Sequence, residues 1–245
     1  MRSFDANATV GQLVAERPSR ARVFERFEID YCCGGKQPLA EACAERGLDP
    51  ESVLAELRAA DAAPHPSETD WTTAPLGDLC DHIVAAHHAY LRRELPRLEA
   101  MSEKVAEVHG RREPHLRELA AVFAALHEEL DQHMAKEEQV LFPLVRLLES
   151  STALPSFHCG SVANPIRVME HEHDDAGAAL TRMRRLTGGY APPPEACNTY
   201  RALLDGLAEL EADLHRHIHK ENNILFPRAA ALEARLAASC RLATG

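Results

Sequence analysis

The chain has 245 residues, with 27 Lys and Arg against 38 Asp and Glu and a formal net charge of −11. That balance argues against a nucleic-acid or anionic-membrane surface, which needs clustered Lys and Arg. No run of about 18 apolar residues occurs, so no membrane-spanning helix is expected. Abundant Ala, Leu and Glu with only 5% aromatics are the palette of a helical protein, long enough for one to two domains of about 150 residues. Asp5 and the absence of an apolar stretch near the N-terminus disfavour a secretory signal. The odd count of seven cysteines fits a reducing cytoplasm better than a disulfide framework.

In chain order, residues 1–60 read as a small domain of short helices. Thr9 to Gln12 has the pattern of a capping box opening a helix to Glu16. Pro18 begins a second helix to about Glu28. Asp30-Tyr31-Cys32-Cys33-Gly34-Gly35 is a turn in which Gly34 is expected to supply a positive φ. Asp49, Pro50 and Glu51 then open a helix ending near Ala60. Residues 61–75, rich in proline and small polar residues, form a linker. Residues 76–245 read as four long amphipathic helices near 76–105, 113–149, 161–187 and 195–236, joined by short connections. Pro96, Pro143 and Pro227 should kink or stop them. The expectation is an all-α chain: a small helical domain followed by an antiparallel four-helix bundle.

The unusual feature is 14 histidines. The segment His133-Met-Ala-Lys-Glu137-Glu-Gln-Val-Leu-Phe-Pro143 returns 84 residues later as His217-Ile-His-Lys-Glu221-Asn-Asn-Ile-Leu-Phe-Pro227, with six of eleven positions identical. The domain therefore reads as two similar helix pairs. Helical residues i and i+4 share a face. Both His-x-x-x-Glu pairs fall in apolar seams, one running Leu119, Val122, Leu126, Leu130, then Val140, Leu144, Leu147, the other Leu203, Leu207, Leu210, Leu214, then Ile224. A carboxylate in such a seam is costly unless paired or metal-bound. His88 falls in the seam Val84, Leu91, Leu95, Leu98, and His173 in the seam Val162, Ile166, Met169, Ala176, Leu180, Met183. His87 and His171 fall on mixed flanks. His215 and His219 lie about 200° from His217 and face away. His82, His115 and His127 read as surface or flank residues, His65 and His158 as loop residues, and His109 as a reserve candidate at a bundle end.

Four imidazoles and two carboxylates in a bundle core, with no cysteine on the seams, suit non-haem iron better than zinc, magnesium or calcium, with manganese open. Six such ligands suit two irons, Glu137 and Glu221 bridging and two histidines on each, with positions left for a small ligand such as O2 or NO.

These residues carry a family resemblance. Residues 76–245 resemble the hemerythrin-like domain, and the whole chain is similar to the iron-sulfur cluster repair di-iron proteins. The matching features are Asp30 to Gly35, both His-x-x-x-Glu-x-x-x-Leu-Phe-Pro segments, Glu172-His173-Asp174, and His88 ahead of Glu94-Leu95-Pro96. The resemblance implies two non-haem iron ions with an oxo or hydroxo bridge, held by His88, His133, Glu137, His173, His217 and Glu221. It implies repair of Fe–S clusters damaged by nitric oxide or oxidants, by iron donation or by reaction with NO, with damaged Fe–S proteins as clients. Oxygen-carrying hemerythrins place His-x-x-x-His on the third helix; here His171-x-His173 diverges by about 200°. One histidine fewer, and an iron more easily released, is the expectation. The loop Phe157 to Gly160 matches nothing in the family pattern.

Cys32 and Cys33 are the candidate reactive residues, giving electrons, holding iron in transit or touching a client protein; the other reading is a turn with thiols as apolar filler. Adjacent cysteines lack the chelate spacing of CxxC. Two further activities compete with repair: an O2 or NO sensor or store, and an NO reductase making N2O. A small N-terminal unit that needs a covering surface also fits a homodimer. Neither nucleic acid nor membrane is expected as a partner.

Overall fold

The computed structural model describes residues 8–62 and 69–243. His65 and the segment 63–68 of the expected linker lie outside the described residues. The chain is all-helical as expected, and among the described residues its one extended pairing is an isolated bridge between Thr9 and Pro38. Two units can be distinguished, one of residues 1–79, 146–156 and 215–245 and the other of residues 80–145 and 157–214.

In the first unit, helix α1 (Val10–Glu16) opens on the expected box: Thr9 Oγ1 accepts from the Gln12 N–H at 3.2 Å, and Gln12 Oε1 accepts from the Thr9 N–H at 3.1 Å. Pro18 begins a 3-10 turn, Pro18–Arg20, that leads into α2 (Ala21–Arg26). Helix α3 (Leu39–Glu45) is absent from the sequence reading; seven residues after a proline are too few to show a helical period. Helix α4 (Pro50–Ala62) follows Asp49, whose carboxylate accepts from the Glu51 N–H and the Ser52 hydroxyl. Val10, Leu13, Phe24, Tyr31, Leu39, Val53, Leu54 and Leu57 form the core. The buried Arg20 guanidinium binds both Asp61 oxygens, at 3.0 and 2.8 Å, and the Leu13 carbonyl at 2.9 Å. It thereby ties α1 and the 3-10 turn to the end of α4.

Helix α5 (Leu76–Ile83) leads through a π turn at 84–88 into α6 (Ala89–His109). Helix α7 (His115–Lys136) passes through a π turn at 137–141 into α8 (Phe142–Ser150). Helix α9 (Ala163–Leu186) is uninterrupted. Helix α10 (Asn198–Lys220) passes through a π turn at 221–225 into α11 (Phe226–Ala243). In the second unit the four helical stretches from α6, α7, α9 and α10 surround one core that includes Leu91, Leu95, Leu98, Phe123, Leu126, Leu180, Leu207 and Leu210. Among the described residues, no helix is long and apolar enough to cross a membrane.

The π turns correct two expectations. Pro143 and Pro227 do not stop their helices, and Pro96 lies inside α6. A proline ring clashes with the carbonyl four residues back in a regular helix. The wider turn just before Pro143 and Pro227 reroutes the hydrogen bonds, so that the Phe142 N–H reaches the Glu137 carbonyl and the Phe226 N–H the Glu221 carbonyl. A π turn also holds an extra residue, so the buried face moves on by one position. Leu147, expected in the seam, is 44% exposed, whereas Leu148 is fully buried. Ile83 likewise takes the buried place expected of Val84. On the uninterrupted α9 the whole expected seam is buried, from Val162 to Met183.

Candidate metal centre

Each ligand candidate sits where helix geometry presents it inward. His88 ends the first π turn, Glu137 begins the second and Glu221 begins the third. His133 and His217 lie in the last turns of α7 and α10, and His173 lies mid-helix on α9. Isolated π turns recur at functional sites because the extra residue re-aims the side chains on either side of it.

The second unit brings four of the six candidates together. Glu137 Oε2 is 3.2 Å from His88 Nε2 and 3.4 Å from His133 Nε2, and His173 Nε2 is 3.2 Å from His133 Nε2. His88 and Glu137 are fully buried. In the first unit, His217 Nε2 and Glu221 Oε1 are 3.1 Å apart, and both residues are buried.

The far side of two rings decides their protonation. His88 Nδ1 is 2.6 Å from Glu138 Oε1, which also accepts from Arg92 at 2.8 Å. His133 Nδ1 is 2.9 Å from Glu172 Oε2, and Lys136 donates to the other Glu172 oxygen. Burial works against ionisation of Glu138, but the bonds from His88 and Arg92 outweigh it and hold the carboxyl below its ordinary range. The hydrogen bond to His133 does the same for Glu172, helped by Lys136. With Nδ1–H donating to a carboxylate, each Nε2 presents a lone pair to the centre. The Phe142 ring stacks on His88, with centroids 5.9 Å apart.

Lone-pair nitrogens and a carboxylate gathered at this spacing in a dry core repel one another unless a cation stands among them. The donor set is imidazole and carboxylate without thiolate, which fits iron or manganese. The residues present therefore fit a metal centre.

Glu138 and Glu172, which hold His88 and His133, fall outside the seam pattern. They lie just outside the apolar stripe, and only their cationic neighbours Arg92 and Lys136 hint at a shared acidic role. On its mixed flank, His87 is buried with Nδ1 3.0 Å from Asp213. His109, the reserve candidate, meets Cys197 Sγ at 3.3 Å and the Tyr200 ring. His171 is exposed, leaving His173 as the inward histidine of α9.

His219 departs most from expectation. It points away from His217, yet it is only 4% exposed, because the Tyr31 turn covers it. Its Nδ1 lies 3.3 Å from the Tyr31 carbonyl, and the Tyr31 ring packs edge-on with centroids 5.5 Å apart. Burial pushes its pKa down to about 4. Asn223, one turn on, donates to the carbonyls of Tyr31 and Cys32 at 3.2 and 3.0 Å. One helix thus carries His217 and Glu221 on one side and the clamp on the cysteine turn on the other. Gly34 does not have the expected positive φ. A Cβ there would stand 3.0 Å from the Asp30 carbonyl, and one on Gly35 would stand 2.2 Å from Asn223 Oδ1. Close approach, not a left-handed backbone, is what requires the two glycines.

Comparison with known proteins finds two family models and several relatives. Residues 81–229 match the hemerythrin HHE cation binding domain, and residues 6–61 match ScdA_N, a domain of unknown function. A protein of Citrobacter koseri described as iron-sulfur cluster repair protein YtfE is 44% identical over 224 residues, covering 91% of this chain and 97% of that relative. The protein of the same description from Escherichia coli O157:H7 is equally similar, at 44% over the same spans. That from Escherichia coli K12 is 43% identical.

Proposed function

The chain belongs to the iron-sulfur cluster repair protein family, and from that premise we propose that His88, His133, Glu137, His173, His217 and Glu221 hold two non-haem irons used to restore damaged Fe–S clusters. The observation that carries this reading is the pair of histidines whose Nδ1 atoms are held by Glu138 and Glu172 while their Nε2 atoms face the buried Glu137. Two irons there supply one-electron chemistry and positions for NO or O2. Glu137 and Glu221 stand at matching places in the internal repeat, and with the four histidines they would hold the metals.

The chain's own part is to position and to release. Glu138 and Glu172 fix the ring orientation and tautomer of His88 and His133. A third helix with a single inward histidine leaves one donor fewer than oxygen-carrying hemerythrins use, which eases iron loss to a client. The clients are Fe–S proteins damaged by nitrosative or oxidative stress, and the setting is the cytoplasm. Cys32 and Cys33, in the domain spanning residues 1–60, serve the same repair.

The test is recovery of an NO-damaged Fe–S enzyme incubated with iron-loaded protein and a competing chelator. Recovery with matching iron loss from the wild type, and none with His133→Ala, is the expected result. Equal recovery with the variant overturns the reading. Many turnovers of N2O with no iron lost replaces donation by NO reduction.

A further inference from the structure

The turn after α2 gathers three potential ligands that the bundle does not use. The Cys32 and Cys33 sulfurs are 3.9 Å apart, and Cys32 Sγ is 3.2 Å from Asp30 Oδ1. The three donor atoms lie within 4.8 Å of one another. Two thiolates on a tetrahedral ion at about 2.3 Å stand about 3.8 Å apart, and a thiolate and a carboxylate oxygen about 3.5 Å apart. The turn therefore presents the face of a tetrahedron from adjacent cysteines, despite their lack of CxxC spacing.

The arrangement is held rigidly. The Asp30 carboxylate accepts from the backbone N–H of Cys32, Cys33 and Gly34 at 2.9, 3.0 and 2.9 Å. The carbonyls of Tyr31 and Cys32 are clamped by His219 and Asn223. Cys32 is 5% exposed, Cys33 is half-buried and Asp30 is exposed, so one side of the triad meets solvent. The Cys33 thiol next to it, burial and Asp30 all push the Cys32 thiol well up. A bare anionic pair is disfavoured there, and a divalent cation is the group that lets both sulfurs ionise.

The geometry points to a second, peripheral metal site in which Asp30, Cys32 and Cys33 bind one thiophilic divalent transition ion of the Fe2+, Co2+ and Zn2+ class. Binding replaces the two thiol protons, which pass to solvent, and leaves the fourth coordination position to water or an incoming ligand. No electron transfer is involved. The site stands on this turn alone and does not depend on the identity of the metal in the bundle.

Cobalt(II) is the probe, added without oxygen to the reduced, full-length, iron-loaded protein. A near-ultraviolet thiolate-to-cobalt absorption band is expected, saturating at one ion per chain. Cys33→Ser should abolish it and Asp30→Asn should weaken cobalt binding. His133→Ala, which strips metal from the bundle, should leave the band in place, so failure of the bundle reading and of this one are distinguishable. Absence of the band overturns the proposal. So does a band of unchanged affinity in both Cys32→Ser and Cys33→Ser, since it would arise at the other cysteines. Circular dichroism of the serine variants confirms that loss of the band is not loss of fold.

Discussion

The bundle histidines and the Asp30–Cys33 turn both collect donor atoms, but by opposite means. In the bundle, helical periodicity carries imidazoles and carboxylates into an apolar seam, where His88 and Glu137 are fully buried. In the turn, one carboxylate gathers three backbone N–H groups and sets two sulfurs side by side at a solvent edge. Burial makes the first set costly without its metal. Exposure makes the second tolerant of its apo form and quick to exchange.

The contrast breaks most completely through Glu137, the carboxylate that faces two histidines. Glu137→Ala should bring the iron content of purified protein to background, as read by elemental analysis, while the Cys33→Ser protein keeps its full iron content. Next come the carboxylates behind the rings. Glu138→Gln and Glu172→Gln should each weaken metal binding about 10- to 100-fold, read by chelator competition. Retained affinity in both would mean that the rings are oriented by packing alone.

The scaffold of the turn offers a smaller effect. Arg20→Ala leaves Asp61 with Arg17 alone, 3.4 Å away, to offset its burial and should destabilise the first unit by about 2 kcal/mol, less than loss of a fully buried pair because Asp61 is partly exposed. Asp61 is held below its ordinary carboxylate range: burial raises it, and the bonds and charge of Arg20, helped by Arg17, more than offset that. The stabilisation is therefore present above the ordinary Asp pKa and is lost as pH falls through the lowered one. Urea unfolding at neutral and acid pH should show the difference between wild type and Arg20→Ala shrinking in acid. Thr9→Ala, which removes one half of the capping box, should cost about 1 kcal/mol, the smallest effect of the series.

How far the sequence could be read depended on whether a helix kept its period. Every residue of the seam expected on α9 is buried, and His173 lies among them. On the first long helix the slip precedes the ligand, with Ile83 buried in place of Val84 while Leu91, Leu95 and Leu98 are buried as expected, and on the second the stripe slips after it, since a π turn adds a residue that a 3.6-residue stripe does not anticipate. Leu147 and Leu148 exchange roles for this reason. The six candidate ligands were legible because each falls in an apolar stripe that keeps its period over the neighbouring turns, as His88 does with Leu91, Leu95 and Leu98 and His217 with Leu210 and Leu214. Glu138 stood in no pattern, and Glu172 only inside the family-like segment with His173, because both act through hydrogen bonds across helices rather than through an apolar stripe. His219 was misread for a third reason: the surface it faces is supplied by Tyr31, 188 positions away in the chain, and no local period encodes that.

The central claim, two irons held by six residues, is tested most directly by metal analysis with Mössbauer spectroscopy on protein as isolated, beside His133→Ala and Glu221→Ala. The account predicts two coupled irons per chain in the wild type and their loss in both variants. Zinc in their place, or an iron signal that survives both substitutions, would contradict it.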